Sequence, residues 1–192
     1  MKRCGCAILA VICAGLSEAA GAGPEYTAEG ELVRPADYRE WVFVSAGLGM
    51  TYGPAAAAAG SASPLFDNVF VAPAAYRAFL ETGKWPDKTM FVLEIRRSAS
   101  EGSINRGGHF QSELVAVEVE VKDEARFPEK WAFFGFNGAA QTAKQFPKAR
   151  CLACHSTNGA VDNTFVQFYP TLIDVAKAKR TFRATGPQPQ AR

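Results

Sequence analysis

Hydrophobic and polar positions along the chain change period several times, and each change marks an element. From Leu114 to Val121 they alternate: Val115, Val117, Val119 and Val121 fall on one face, Ala116, Glu118 and Glu120 on the other. That is the period of a strand with two unlike faces. The runs Thr89 to Ile95 and Trp131 to Phe136 are rich in β-branched and aromatic residues and predict two more strands. Three such runs in succession, joined by turns, predict an antiparallel sheet. Asn68 to Val71 reads as a further strand. Pro73 to Leu80 carries a proline near its start, apolar or small residues at helical spacing, and Gly83 just past its end, so a helix is expected there. Pro35 to Trp41 predicts a short helix that runs into Val42-Phe43-Val44 and the glycine-punctuated stretch from Gly47 to Pro54. Ala55 to Pro64 reads as a low-complexity loop. Helical spacing returns from about Thr164 to Arg180, and the last residues, with Pro187 and Pro189, are expected to fray. No internal repeat is found. The expected fold class is α+β, mainly an antiparallel sheet with flanking helices.

The start of the chain breaks this pattern. Lys2 and Arg3 precede an apolar run from Cys4 to Leu16 that is too short to span a bilayer, followed by the small residues Ala20-Gly21-Ala22. These features predict a cleaved secretory signal over residues 1–22. No later segment has the length and apolarity of a membrane span, so a soluble, exported product without a membrane anchor is expected. Of 192 residues, 48% are hydrophobic and 21% charged. Removing the signal leaves 19 basic and 18 acidic groups over 170 residues. So even a balance, without basic runs, gives no footprint for nucleic acid.

The same cleavage removes Cys4, Cys6 and Cys13, leaving Cys151 and Cys154. With no second pair to cross-link the fold, stability must come from a buried core. The two cysteines belong to Cys151-Leu152-Ala153-Cys154-His155, the covalent attachment pattern of c-type haem. Two thiols three residues apart can add to the two vinyl groups of one haem, and the adjacent His155 is then the proximal iron ligand. A redox disulfide usually opens a helix within a thioredoxin-like βαβ pattern, which this chain lacks. A zinc site needs about four protein ligands. Here only the distant His109 could supplement Cys151, Cys154 and His155.

The motif lies near the C-terminal end of the chain, so the groups that cover the other side of the haem must come from the preceding sheet and its loops. His109, Met50 and Met90 are the available sixth ligands. His109 follows the turn-rich Asn105-Arg106-Gly107-Gly108, Met90 belongs to a strand and Met50 to a glycine-rich turn, where packing or solvent contact is the ordinary role. The expected sixth position is open, which favours binding of a gas or substrate over simple electron carriage.

Several pieces together resemble the cytochrome P-460 family, which includes its β-sheet relative cytochrome c-prime-beta. They are Asp37 to Val42, the Pro73 to Gly83 helix with Tyr76, Val121-Lys122-Asp123 with Arg126-Phe127, Trp131-Ala132-Phe133, the Cys-x-x-Cys-His motif and Phe168-Tyr169-Pro170. The resemblance implies a mostly antiparallel β fold, one covalent five-coordinate haem, a periplasmic location and commonly a homodimer. It also implies one of two activities. Members of the P-460 type oxidise hydroxylamine, with nitric oxide as a further substrate or product, and depend on a lysine cross-linked to the haem ring. The family pattern puts Leu93 at that position, and leucine cannot form the bond. Lys84 and Lys88 lie nearby in the preceding turn, where a solvated charge is the simpler reading. A pocket carboxylate of the hydroxylamine-oxidising members falls on Glu118. Its strand face is either wet or lines the haem cavity, where Glu118 would be a proton relay. Phe91 and Leu93 share a strand face and would cover the distal pocket, favouring neutral diatomic ligands over anions, unless they are plain core.

The expected organisation is a signal over 1–22, a lead-in over 23–34, a haem domain over 35–181 and a flexible tail over 182–192. The expected function is an exported mono-haem c-type cytochrome whose open site binds nitric oxide or a related small ligand. The alternatives are a hydroxylamine or nitric oxide oxidoreductase that passes electrons to a partner cytochrome, and a simple electron carrier.

Overall fold

A computed structural model describes residues 23–51 and 63–184. The expected signal, most of the Ala55 to Pro64 loop and the end of the tail lie outside the described residues. The core is a five-stranded antiparallel sheet in the order β2 (Val42–Leu48), β3 (Leu65–Val71), β4 (Met90–Ala99), β5 (Phe110–Lys122), β6 (Trp131–Asn137). Two short strands, β1 (Leu32–Val33) and β7 (Thr142–Ala143), pair separately. Helix α1 (Pro73–Thr82) joins β3 to β4, while α2 (Lys148–Asn158) and α3 (Ile173–Ala178) follow the sheet. The sequence expectation of an α+β fold built on an antiparallel sheet is met. Among the described residues, no helix is long and apolar enough to cross a membrane.

Local chemistry explains the element ends. Pro73 opens α1, and Gly83 closes it at φ 69°, a left-handed backbone in which its missing Cβ matters, with its N–H on the Phe79 carbonyl. The expected Pro35 helix is only one 3-10 turn, Tyr38–Glu40, because Trp41 is already extended at ψ 169°. The helical spacing from Thr164 resolves into a 3-10 turn at Val166–Phe168 and the short α3, with Tyr169 and Pro170 between them. Strand β5 is longer than its alternation suggested. Val115, although in phase with the buried valines, is exposed, because β6 pairs only with Ala116 onward.

Both faces of the sheet are covered. On one, Val92, Val117, Val119 and Phe134 lie under the N-terminal segment, where Tyr26 packs against Phe127 and Phe134, and Tyr38 against Phe70. This face also holds Glu94, which is 2% exposed. Its carboxylate accepts from Tyr38 Oη at 2.6 Å, Arg96 Nε at 2.6 Å and Asn68 Nδ2 at 3.3 Å, and pairs with Arg39. Burial alone would raise its pKa, but these donors and cations outweigh burial and hold it below the ordinary value. The other face carries an aromatic row in which Phe79 stacks on Trp85 at 4.0 Å, and Trp85 meets Phe91 edge-on at 4.7 Å. Tyr169 closes on Phe91 from the C-terminal segment.

Glu94→Gln removes a charge that two arginines and a tyrosine share, and should cost roughly 2–4 kcal/mol in chemical denaturation. Because the folded pKa is depressed, Glu94 contributes its stability in full above about pH 4.5, and the contribution is lost as pH falls below that value. The variant's stability should therefore fall less steeply than that of the wild type in acid.

Candidate functional site

Alternation along five neighbouring strands puts Ser45, Asp67, Val69, Leu93, Glu118 and Phe133 on the same face of the sheet, and they form the floor of a cavity. Helix α2 contributes Arg150, Cys151, Cys154 and His155, and the C-terminal segment contributes Phe165, Phe168 and Tyr169. The void measures about 260 Å³, far above the roughly 30 Å³ share of one water molecule. A mostly apolar void of this size with a few converging polar groups is the ordinary form of a ligand site.

The helix explains why the motif works as a unit. Cys151, Cys154 and His155 stand at i, i+3 and i+4, so they share one face of α2, and that face looks into the cavity. The two cysteines are not joined as a disulfide. Burial pushes the Cys151 thiol upward, with Glu118 adding to it, the reverse of the depressed pKa that a reactive redox thiol needs. Among the described residues, no group of three or more His, Cys, Asp and Glu side chains could hold a metal ion between them.

His155 is sandwiched between Phe133 at 4.5 Å and Phe165 at 4.4 Å. Its Nδ1 lies 2.9 Å from the Asn163 carbonyl, which can only accept, so Nδ1 carries the proton and Nε2 keeps its lone pair. A ligand imidazole needs that tautomer. The loop that supplies this carbonyl is strongly determined. Asp162 and Asn163 both have positive φ, 45° and 64°. The Asp162 carboxylate accepts from the buried Lys122 at 2.6 Å and from the Trp131 indole at 3.3 Å. Gly159 is required by close approach, since a Cβ there would lie 2.6 Å from both the His155 carbonyl oxygen and the Asn163 carbonyl carbon.

Glu120, the strand neighbour of Glu118 on this face, has its Oε1 at 3.3 Å from His155 Nδ1. The Asn163 carbonyl takes the Nδ1 proton, so Oε1 is buried without a hydrogen bond. Burial drives the Glu120 pKa upward against the opposing pull of His155. For His155, burial acts to lower the pKa, but Glu120 and the Asn163 carbonyl outweigh it and the net direction is up.

The sequence-predicted residues converge. Glu118 lines the cavity, and burial raises its pKa against the Arg150 and His155 charges. Leu93 is its cross-strand partner, and Phe91 pairs with Glu120 one step along. The three candidate sixth ligands part company. Met90 is buried in the core, His109 is exposed and away from the cavity, and only Met50 reaches the lining. Lys88 is ion-paired with Asp123, and Lys84 is exposed in the turn after α1, so neither approaches Leu93 along the cavity wall. Sequence reasoning missed Asp67, Glu120 and Arg150. An acidic residue beside Asn68 in the middle of a strand whose remaining members are apolar was the available signal for Asp67.

The donor set suits a haem. Two thiols and an imidazole with a free Nε2 face one apolar cavity, and a buried oxygen beside that imidazole lacks a partner. Gly159→Ala should force the loop off His155 and lower stability by about 1–3 kcal/mol, with a shift in the His155 imidazole resonances by NMR. A search of curated protein sequences returns no significant match. The family model described as Cytochrome P460 matches residues 35–166, more than half of the chain and the whole span from the first turn to the haem motif and its loop, so the chain belongs to the cytochrome P460 family and is a haem-binding cytochrome.

Proposed function

We propose that the protein is an exported, periplasmic mono-haem c-type cytochrome that binds nitric oxide or a related small nitrogen-oxide ligand. Cys151 and Cys154 would hold the haem covalently, and His155 would ligate its iron. The observation that carries this reading is the shared cavity-facing side of α2, with His155 held in the ligating tautomer by the Asn163 carbonyl. Held there, a haem would supply an iron able to take a small ligand and a one-electron couple. The chain's own residues orient the imidazole, keep the pocket apolar through Phe91, Leu93 and Val69, and set carboxyl groups at its wall.

Support for an open sixth position comes from the placement of the candidates: Met90 and His109 are elsewhere, and Met50 packs its side chain against Gly47 at the cavity edge. Hydroxylamine oxidation is the second reading, favoured by Glu118 in the cavity and opposed by Leu93, which has no nucleophile for a ring cross-link. A partner cytochrome that exchanges electrons with the haem and a homodimeric assembly complete the proposal.

In the Cys151→Ala/Cys154→Ala double variant, acid-acetone extraction should release the haem. Retention would overturn the covalent assignment. Carbon monoxide should bind the ferrous protein without first displacing a side chain, and Met50→Leu should leave the ferrous spectrum unchanged. A low-spin ferrous spectrum that the substitution abolishes would identify Met50 as the sixth ligand instead. Mass spectrometry of the wild type should show an ordinary c-type haem with no lysine adduct, and the protein should turn hydroxylamine over poorly. Leu93→Lys would put an amine beside Glu118, at some cost in stability from a buried cation.

A further inference from the structure

Asp67 has no explanation in the stability of the fold. It sits in the middle of β3, where aspartate is disfavoured, with neighbours Gly47 on β2 and Ile95 on β4. Its side chain is 9% exposed, lines the cavity, and makes no hydrogen bond or ion pair among the described residues. Of the other acids on the sheet, Glu94 is accompanied by two arginines and a tyrosine and Glu120 by His155, while Glu118 shares the cavity wall with Asp67. Valine or leucine would cover the same floor without burying an unpaired polar group, which costs roughly 1–3 kcal/mol.

The surroundings indicate what the group does. Asp67 and Glu118 lie on the strands that flank β4, offset from each other by two residues of register, roughly 12 Å apart at ordinary strand spacing and rise. Val69 and Leu93 lie between them as apolar wall. Burial, and then the Glu118 charge, push the Asp67 pKa up to about 6. The other titratable or charged groups that face the cavity are Glu120 from β5, Tyr169 from the C-terminal segment, and Arg150 with the haem-binding trio on α2. Asp67 is thus a carboxylate whose charge projects into the void and meets no cation of its own.

We propose that Asp67 is a specificity-determining residue of the cavity, whose carboxylate excludes small anions and leaves the pocket to neutral ligands. The inference rests on the haem-binding reading above and adds to it the residue that sets ligand charge. An apolar wall disfavours anions only through desolvation, whereas a fixed negative charge in low dielectric repels them directly.

The test uses the haem-loaded protein, with azide as the anionic probe and nitric oxide as the neutral one, both followed by optical titration. In Asp67→Asn, azide affinity should rise about tenfold or more relative to nitric oxide, as expected for removing one poorly screened charge. In the wild type, azide should tighten as pH falls from about 7.5 to 5.5, because protonation removes the charge, and Asp67→Asn should flatten that dependence. Should the substitution fail to fold, the wild-type pH titration carries the same test, since a flat azide profile overturns the role. Equal azide affinity in both proteins, or an equal change for both probes, overturns it too. Haem content is measured on the same samples. A wild type without haem overturns this inference together with the reading beneath it, while haem present with unchanged azide selectivity overturns the role of Asp67 alone.

Discussion

From Ala116 onward strand β5 is covered on both faces, and the rest of the molecule is arranged around that constraint. A strand cannot turn one residue without turning its neighbours the other way. Burying Val117, Val119 and Val121 under the N-terminal segment therefore directs Glu118 and Glu120 into the interior on the opposite side. In a simple sandwich that arrangement would be ruinous, since a carboxylate in an apolar interior is heavily penalised without a partner. Here the second face is not packed shut. It carries a cavity, and the acids line its wall beside a helix that presents an imidazole and an arginine.

The two faces handle charge in opposite ways. Behind the sheet, Glu94 is fully engaged by Tyr38, Arg39, Arg96 and Asn68, so its charge is neutralised locally and its pKa is held down. In front, Asp67 and Glu118 are raised by burial, and Glu120 keeps a buried oxygen without a hydrogen bond. Perturbed groups gathered in one void, against a satisfied network on the reverse face, are the pattern that ligand sites favour. The proximal loop adds rigidity. Lys122, Trp131 and Trp85 pin Asp162 and Thr164, and the left-handed pair Asp162 and Asn163 delivers the Asn163 carbonyl to His155.

The Cys-x-x-Cys-His pattern was legible because its spacing is local. Cys151, Cys154 and His155 lie within five residues, and any helix puts them on one side. The β5 pattern was equally legible, since alternation is a property of neighbouring residues. The extent of the helices was not. Pro35 to Trp41 and Thr164 to Arg180 both carry helical spacing, yet aromatic anchors such as Tyr38, Trp41 and Tyr169 are drawn out of register by the core they fill.

Sequence alone determined the antiparallel α+β class, the Cys-x-x-Cys-His pattern on one helix face and the identity of the side chains along each strand, because these depend on periods of two to four residues. Only the tertiary structure decided which face of β5 meets the cavity, that Met50 rather than Met90 or His109 reaches its edge, and that Asp67 and Glu118 line one cavity from strands on either side of β4. Those outcomes depend on the register between strands distant in sequence. They also depend on which face the N-terminal segment covers, and neither is encoded in any local run of residues.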